Sequence, residues 1–146
     1  MAKVSVYLNF MGKTEEAFNF YKDVFGTEFV EPMQRMGEVP QDDSQPALPE
    51  NEKNMIMHVE LPILAGMSLM GTDMLESMGH KIKYGNNMSI NLMPDTEEET
   101  RRLFDQLSEG GSEVMQLEKM FWGDLFGSCV DKYGIRWMFD CPAEKK

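Results

Sequence analysis

Cysteine is scarce in this 146-residue chain. Cys129 and Cys141 are the only two, and they form no Cys-x-x-Cys pattern. That argues against a structural zinc site, and in a reducing compartment it leaves both thiols packed. Positive charge is short as well: 14 Lys and Arg against 25 Asp and Glu give a net charge of -11. A phosphate backbone or an anionic membrane demands a basic face, so neither nucleic acid nor membrane is an expected partner. No apolar run approaches the ~20 residues of a spanning helix. The start of the chain, Met-Ala-Lys-Val-Ser-Val-Tyr, enters a strand pattern without an apolar signal segment. The expectation is a cytoplasmic protein. With 42% hydrophobic and 27% charged residues, it reads as one globular domain over 1–146.

What the chain does have is methionine, fifteen in all, and a repeat. Methionine fills irregular gaps in cores, or lines an adaptable pocket. The repeat is more telling. Residues 4–10 (Val-Ser-Val-Tyr-Leu-Asn-Phe) lead to Thr14-Glu15-Glu16, and residues 88–94 (Met-Ser-Ile-Asn-Leu-Met-Pro) lead to Thr96-Glu97-Glu98. Ser5 matches Ser89 and Leu8 matches Leu92. A strand–helix unit repeated in both halves points to two copies of one module, here 4–75 and 86–140.

The elements follow from periodicity. Residues 4–10 alternate, with Val4, Val6, Leu8 and Phe10 on one face and Ser5, Tyr7 and Asn9 on the other. A helix over 15–25 follows, with Thr14 as N-cap, an apolar stripe of Ala17, Phe18, Tyr21, Val24 and Phe25, and a stop at Gly26. A strand is expected at 27–31. Residues 32–54, with Pro32, Pro40, Pro46 and Pro49, read as a long loop. Strands follow at 55–61 and 67–70 around a turn at Gly66, then a loop over 72–87. In the second half, Thr96 and Glu99 suggest a capping box, Leu103, Phe104 and Leu107 an inward face, and Gly110-Gly111 a stop. Strands are expected at 114–117, 128–131 and 135–139, the last two joined by a turn flanked by Asp131 and Gly134. The order is β-α-β-β-β, twice.

That order, with Tyr7-Leu8-Asn9-Phe10, Glu16-Ala17-Phe18-Asn19-Phe20-Tyr21, Met57-His58-Val59-Glu60-Leu61, Gly85-Asn86-Asn87, the run Phe121–Gly127 and the run Asp131–Trp137, resembles the vicinal oxygen chelate superfamily. This is the glyoxalase/bleomycin resistance/dioxygenase fold, and the resemblance is closest to its PhnB-like branch. It implies an α+β protein whose two βαβββ modules form a curved mixed sheet around a cleft, commonly within a homodimer. It also implies a divalent metal held by His, Glu or Gln on the first and last strands of a module. Here those first strands offer Ser5, Tyr7, Ser89 and Asn91, and Met138 falls about where a Glu ligand would stand. Thioether and hydroxyl groups are poor ligands for a hard ion. No metal site is therefore assigned and no cofactor is expected, a divalent ion on His58 and Glu60 remaining the open alternative.

His58 and Glu60 are the catalytic candidates, since residues two apart share a strand face and a His–carboxylate pair suits general base work. The competing reading is a polar pair facing solvent or a dimer contact. Tyr7, Asn9, Ser89 and Asn91 are candidates for orienting a small polar ligand, and Trp122 and Trp137 for lining its pocket or packing in the core. His80, beside Lys81 and Lys83, reads as a solvated loop residue. The leading function is a glyoxalase-like protein binding a small polar molecule, with lyase, isomerase or dioxygenase chemistry. Its rival is a non-catalytic binder that sequesters such a molecule. A transferase acting on a quinone-like substrate finds no glycine-rich strand–helix turn in support.

Overall fold

The computed structural model describes residues 2–40 and 42–143. The chain forms two compact units, Met1–Lys83 and Tyr84–Lys146. The first contains β1 (Val6–Phe10), α1 (Thr14–Phe25), β2 (Gln34–Arg35), α2 (Glu50–Lys53), β3 (Ile56–Pro62) and β4 (Ser68–Asp73). The second contains β5 (Ile90–Leu92), α3 (Glu97–Ser108), β6 (Ser112–Lys119), β7 (Leu125–Val130) and β8 (Arg136–Cys141). The repeat read from the sequence is real at the level of topology. One four-stranded sheet has the order β1-β4-β3-β2 and the other β5-β8-β7-β6. In each, the first strand runs parallel to the last and the remaining pairs are antiparallel. Among the described residues no helix is long and apolar enough to cross a membrane.

In the first unit, Leu8 and Phe10 of β1 are buried while Tyr7 and Asn9 stay open. The strand starts later than expected. Its register with β4 begins at Val6↔Leu69, so Val4 lies ahead of the ladder and is 80% exposed. Ala17, Phe18, Tyr21 and Val24 form the buried stripe of α1 as expected, and Gly26 (φ 64°) ends the helix by donating its N–H to the Lys22 carbonyl.

Thr14 is not the N-cap. It is the first helical residue, and Lys13 in the cap position makes no side-chain bond. The cap comes from the far end of β4. Asp73 Oδ1 accepts from the Gly12 and Thr14 N–H groups (2.9 and 3.1 Å) and from the Thr14 hydroxyl (2.7 Å), and Oδ2 accepts from Ile56 N–H (2.8 Å). One carboxylate thus ties together the start of α1, the start of β3 and the end of β4.

The strand expected at 27–31 is absent. There Val30 N–H reaches the Glu60 carbonyl and the Thr27 hydroxyl the Pro62 carbonyl, and the strand beside β3 is Gln34–Arg35, beyond Pro32, which has no N–H to give. The 32–54 segment is not all loop either. It carries β2 and α2, and the buried Glu52 carboxylate of α2 accepts from Ser77 N–H and hydroxyl (3.1 and 2.5 Å).

In the second unit Thr96 caps α3, its hydroxyl accepting from Glu99 N–H at 3.1 Å. The expected capping box is only half formed, because the Glu99 carboxylate turns to Arg102 (3.0 and 2.7 Å). Leu103, Phe104 and Leu107 are buried against the sheet, with Phe104 edge-on to Phe139. Asp131 organises the turn into β8 as its position suggested. Its Oδ1 accepts from Tyr133 and Ile135 N–H (2.8 and 3.0 Å) and its Oδ2 from the Trp137 indole N–H (2.8 Å). Cys129 and Cys141 are both buried, and burial together with the Asp131 charge pushes the Cys129 thiol up to about 12.

On the open face of β8, Asp140 is held above the usual carboxylate range, first by burial and then by the charge of Asp124. A raised folded-state pKa in an acid costs stability: the penalty grows as pH rises from the unfolded value and is complete above the folded one. Asp140→Asn is therefore expected to melt higher than the parent at neutral pH, with the gain vanishing in acid. Equal melting temperatures across the pH range would refute this.

Candidate functional site

The open face of the first sheet gathers the polar side chains. Period two puts His58 and Glu60 on the same side of β3, both partly buried. The register Tyr7↔Met70 and Glu60↔Met70 sets Tyr7, Met70 and Glu60 in one row across three strands. Asn9 lies beside Thr72 in the next row, and Gln34 of β2 beside His58. The phenol of Tyr7 crosses this face to His58, with Oη 3.1 Å from Nδ1 and the rings 5.9 Å apart. Burial raises the Tyr7 pKa above its ordinary value, so the phenol keeps its proton. It can then donate to Nδ1, which leaves the imidazole proton on Nε2.

Glu60 does not orient His58, as the sequence pairing suggested. Its carboxylate is taken by Lys3, whose Nζ lies 2.9 Å from Oε2. Residues two apart on a strand stand ~7 Å apart, so a third group can settle on one of them. The Lys3 bond, with smaller help from Ser68 and the nearby His58, holds the Glu60 carboxyl below the usual range against the opposing effect of burial. A depressed folded-state pKa stabilises above the unfolded pKa, and the gain is lost as pH falls through the folded value. Lys3→Ala should move the Glu60 titration, followed by carboxyl carbon NMR, up to the ordinary range. An unmoved titration would show that the ion pair is not populated.

Of the other candidates, Ser89 and Asn91 are exposed on the corresponding face of the second sheet, where Asn91 pairs with Met138 as Tyr7 pairs with Met70. Trp137 takes the core-packing alternative rather than the ligand-binding one. It is fully buried on the core side of β8 with Phe139, and its indole N–H is donated to Asp131. Trp122 sits on the turn between β6 and β7, edge-on to Phe121 at 4.8 Å. His80 is an exposed loop residue whose Nδ1 accepts from Leu75 N–H. Residues that sequence reasoning passed over are Lys3, Gln34, Met70 and Thr72. Only Met70 had a signal, its place in the strand expected at 67–70; Thr72 fell in the stretch read as loop, whereas the strand runs on to Asp73.

A divalent metal does not fit these residues. Among the described residues no three His, Cys, Asp or Glu side chains come together as a metal site. Glu60 is paired with Lys3, His58 with Tyr7, and the residue opposite Glu60 on β4 is Met70, whose thioether is a poor ligand for a hard ion.

A protein family described as 3-demethylubiquinone-9 3-methyltransferase matches residues 2–139. The chain belongs to that family. Its curated relative Protein YjdN of Escherichia coli is 30% identical over 142 residues, which is 94% of this chain and 93% of YjdN. The crystal structure of protein PA1353 from Pseudomonas aeruginosa superposes with a TM-score of 0.82 at 32% identity, covering 99% of this chain and 100% of that one. A PhnB protein from Bacillus cereus, given the same methyltransferase description, superposes at 0.74 with 28% identity, covering 97% and 100%. The fold alone is shared with a glyoxylase/bleomycin resistance protein/dioxygenase domain from Frankia sp. (TM-score 0.65, 9% identity, coverage 100% and 96%). This PhnB-like family protein thus has a glyoxalase-related fold, as the resemblance implied.

Proposed function

We propose that this protein binds a small polar molecule on the open face of its first sheet and acts on it by proton transfer, as a lyase or isomerase. The observation that carries the reading is the 3.1 Å contact between the Tyr7 hydroxyl and His58 Nδ1 on an otherwise open polar face. A phenol that keeps its proton and donates to Nδ1 can take a proton from a bound ligand onto its oxygen while passing its own to the imidazole, and the imidazolium so formed returns a proton through the phenol to another ligand atom. Asn9 and Gln34 supply amide donors and acceptors on the same face to orient that ligand. Glu60, ionised by Lys3, offers a fixed negative charge beside the couple. Methyl transfer, named in the family's description, gains no support from the strand-to-helix turns at 11–13 and 93–96, neither of which is a glycine-rich cradle.

A thermal-shift screen of small hydroxy and carbonyl compounds tests this. A ligand at about 100 times its Kd stabilises by about 2.7 kcal/mol. For a ligand so found, Tyr7→Phe and His58→Ala are expected to lower turnover by about 10²–10⁴-fold while the melting temperature of the free protein stays close to that of the parent. Parent-like turnover in both variants would remove the couple from the mechanism, and binding without turnover would make the protein a carrier.

The same reading includes a homodimer. Phe121 is 97% exposed and Trp122 54%, on a turn that a second copy would cover. Sedimentation at micromolar concentration is expected to give twice the chain mass of 16.8 kDa. A monomer alone would refute this part.

A further inference from the structure

The second sheet presents a cation that the first-sheet site does not use. Arg136 opens β8, where Trp137, Phe139 and Cys141 are buried, so its side chain belongs with Met138 on the open face. It is three-quarters buried and its guanidinium is fixed in place. Nε donates to the Gly85 carbonyl at 3.1 Å, and Nη2 donates to Glu113 Oε2 at 2.8 Å. A guanidinium has five N–H donors, so a planar fork held this way can still engage a ligand. The parallel register pairs Ile90 with Trp137 and Asn91 with Met138, and Ser89 and Arg136 stand one residue earlier on their respective segments. Across the sheet Ser128 pairs with Met138 and Met115 with Ser128. One face therefore combines a guanidinium, a hydroxyl and an amide with a floor holding two thioethers.

Glu113 supplies the independent observation. It lies at φ +47° where the β6–β7 register shifts, a left-handed backbone that a side chain other than glycine resists. Strained bulge residues of this kind re-aim a side chain. Here the side chain aimed at Arg136 is a carboxylate, 63% exposed and open to exchange. In a chain of net charge -11, the protein's own carboxylate occupies the place an anion would take.

We infer that Arg136, Ser89 and Asn91 form a binding site for a small monocarboxylic acid with an apolar body. The ligand carboxylate displaces Glu113 from the guanidinium and also meets Ser89 and Asn91, and its body lies over Met138 and Met115. This goes beyond the proton-transfer reading and does not depend on it.

The test titrates nitrogen-15-labelled protein with 4-methylpentanoate and, separately, with 4-methylpentanamide, following Arg136 Nε–H and the Asn91 side-chain amide. Saturable shifts in the millimolar range are expected for the acid, about ten-fold weaker for the neutral amide. Arg136→Gln should abolish them and Arg136→Lys weaken them about five-fold, the lysine keeping the charge but not the fork. Glu113→Gly removes the competitor and suits the backbone, so it should tighten binding about three-fold or more. Tyr7→Phe should leave every shift as it was, which separates this site from the first-sheet site. Equal response to acid and amide, or no saturation by about 50 mM, would overturn the inference. So would parent-like binding in Arg136→Gln with the Trp137 indole signal intact. If Arg136→Gln does not fold, an untightened Glu113→Gly decides against it.

Discussion

Asp73→Ala is expected to lower the unfolding free energy by about 3–5 kcal/mol, one of the two largest losses we anticipate from a single side chain. Its carboxylate takes three backbone N–H groups, from Gly12, Thr14 and Ile56, and the Thr14 hydroxyl. A buried donor left without a partner costs about 1–3 kcal/mol, and water can reach only some of these once the carboxylate is gone. Asp73→Asn should cost less, about 1–3 kcal/mol, because one oxygen still accepts while the amide nitrogen opposes one of the donors. Urea unfolding with an unchanged m-value checks both. A loss below about 1 kcal/mol for the alanine variant would mean that the start of α1 finds another cap.

The second large loss is expected at Asp131, the corresponding knot of the second unit. It holds the Tyr133 and Ile135 N–H groups and the indole of the fully buried Trp137. Asp131→Ala is expected to cost about 3–4 kcal/mol, and Trp137→Phe about 1–3 kcal/mol, since the ring is largely replaced but the indole bond is lost. Both tryptophans, Trp122 and Trp137, lie in this unit, so fluorescence reports its unfolding directly. An Asp131→Ala fluorescence midpoint within experimental error of the parent would show that the turn does not depend on the carboxylate.

These two acids also show where the sequence stopped being legible. The strand phase of β1, the buried stripe of α1, its stop at Gly26 and the doubled βαβββ order could all be read from periodicity and turn residues, which are local signals. The cap of α1 could not, because Asp73 is about sixty residues away in sequence and Thr14 imitates a local cap. The strand at Gln34–Arg35 was misplaced to 27–31 because β-branched and aromatic residues there look like a strand, while Pro32 and the bulged pairing with β3 decide otherwise.

The candidate site divides in the same way. That His58 and Glu60 share a face followed from alternation alone. That Tyr7 meets His58 follows from a strand order in which β4 lies between β1 and β3, and no local pattern encodes that order. Lys3, ahead of any strand, gave no signal that it would claim Glu60. Trp137 was ambiguous because Met138 beside it makes both faces of β8 look apolar; only the bond to Asp131 fixes which side goes in.

The two buried thiols have a practical consequence. With the Cys129 thiol at about 12, its thiolate at neutral pH is on the order of one molecule in 10⁵. Cys141 is shielded by its burial, and these are the only two cysteines of the chain. Maleimide reagents should therefore pass the native protein by. A cysteine introduced at the outermost aromatic position, Phe121→Cys, would become a single addressable handle for a spin label or dye without any prior removal of native cysteines. Because that turn is the one proposed to be covered by a second copy, slower labelling of Phe121→Cys at higher protein concentration would report self-association.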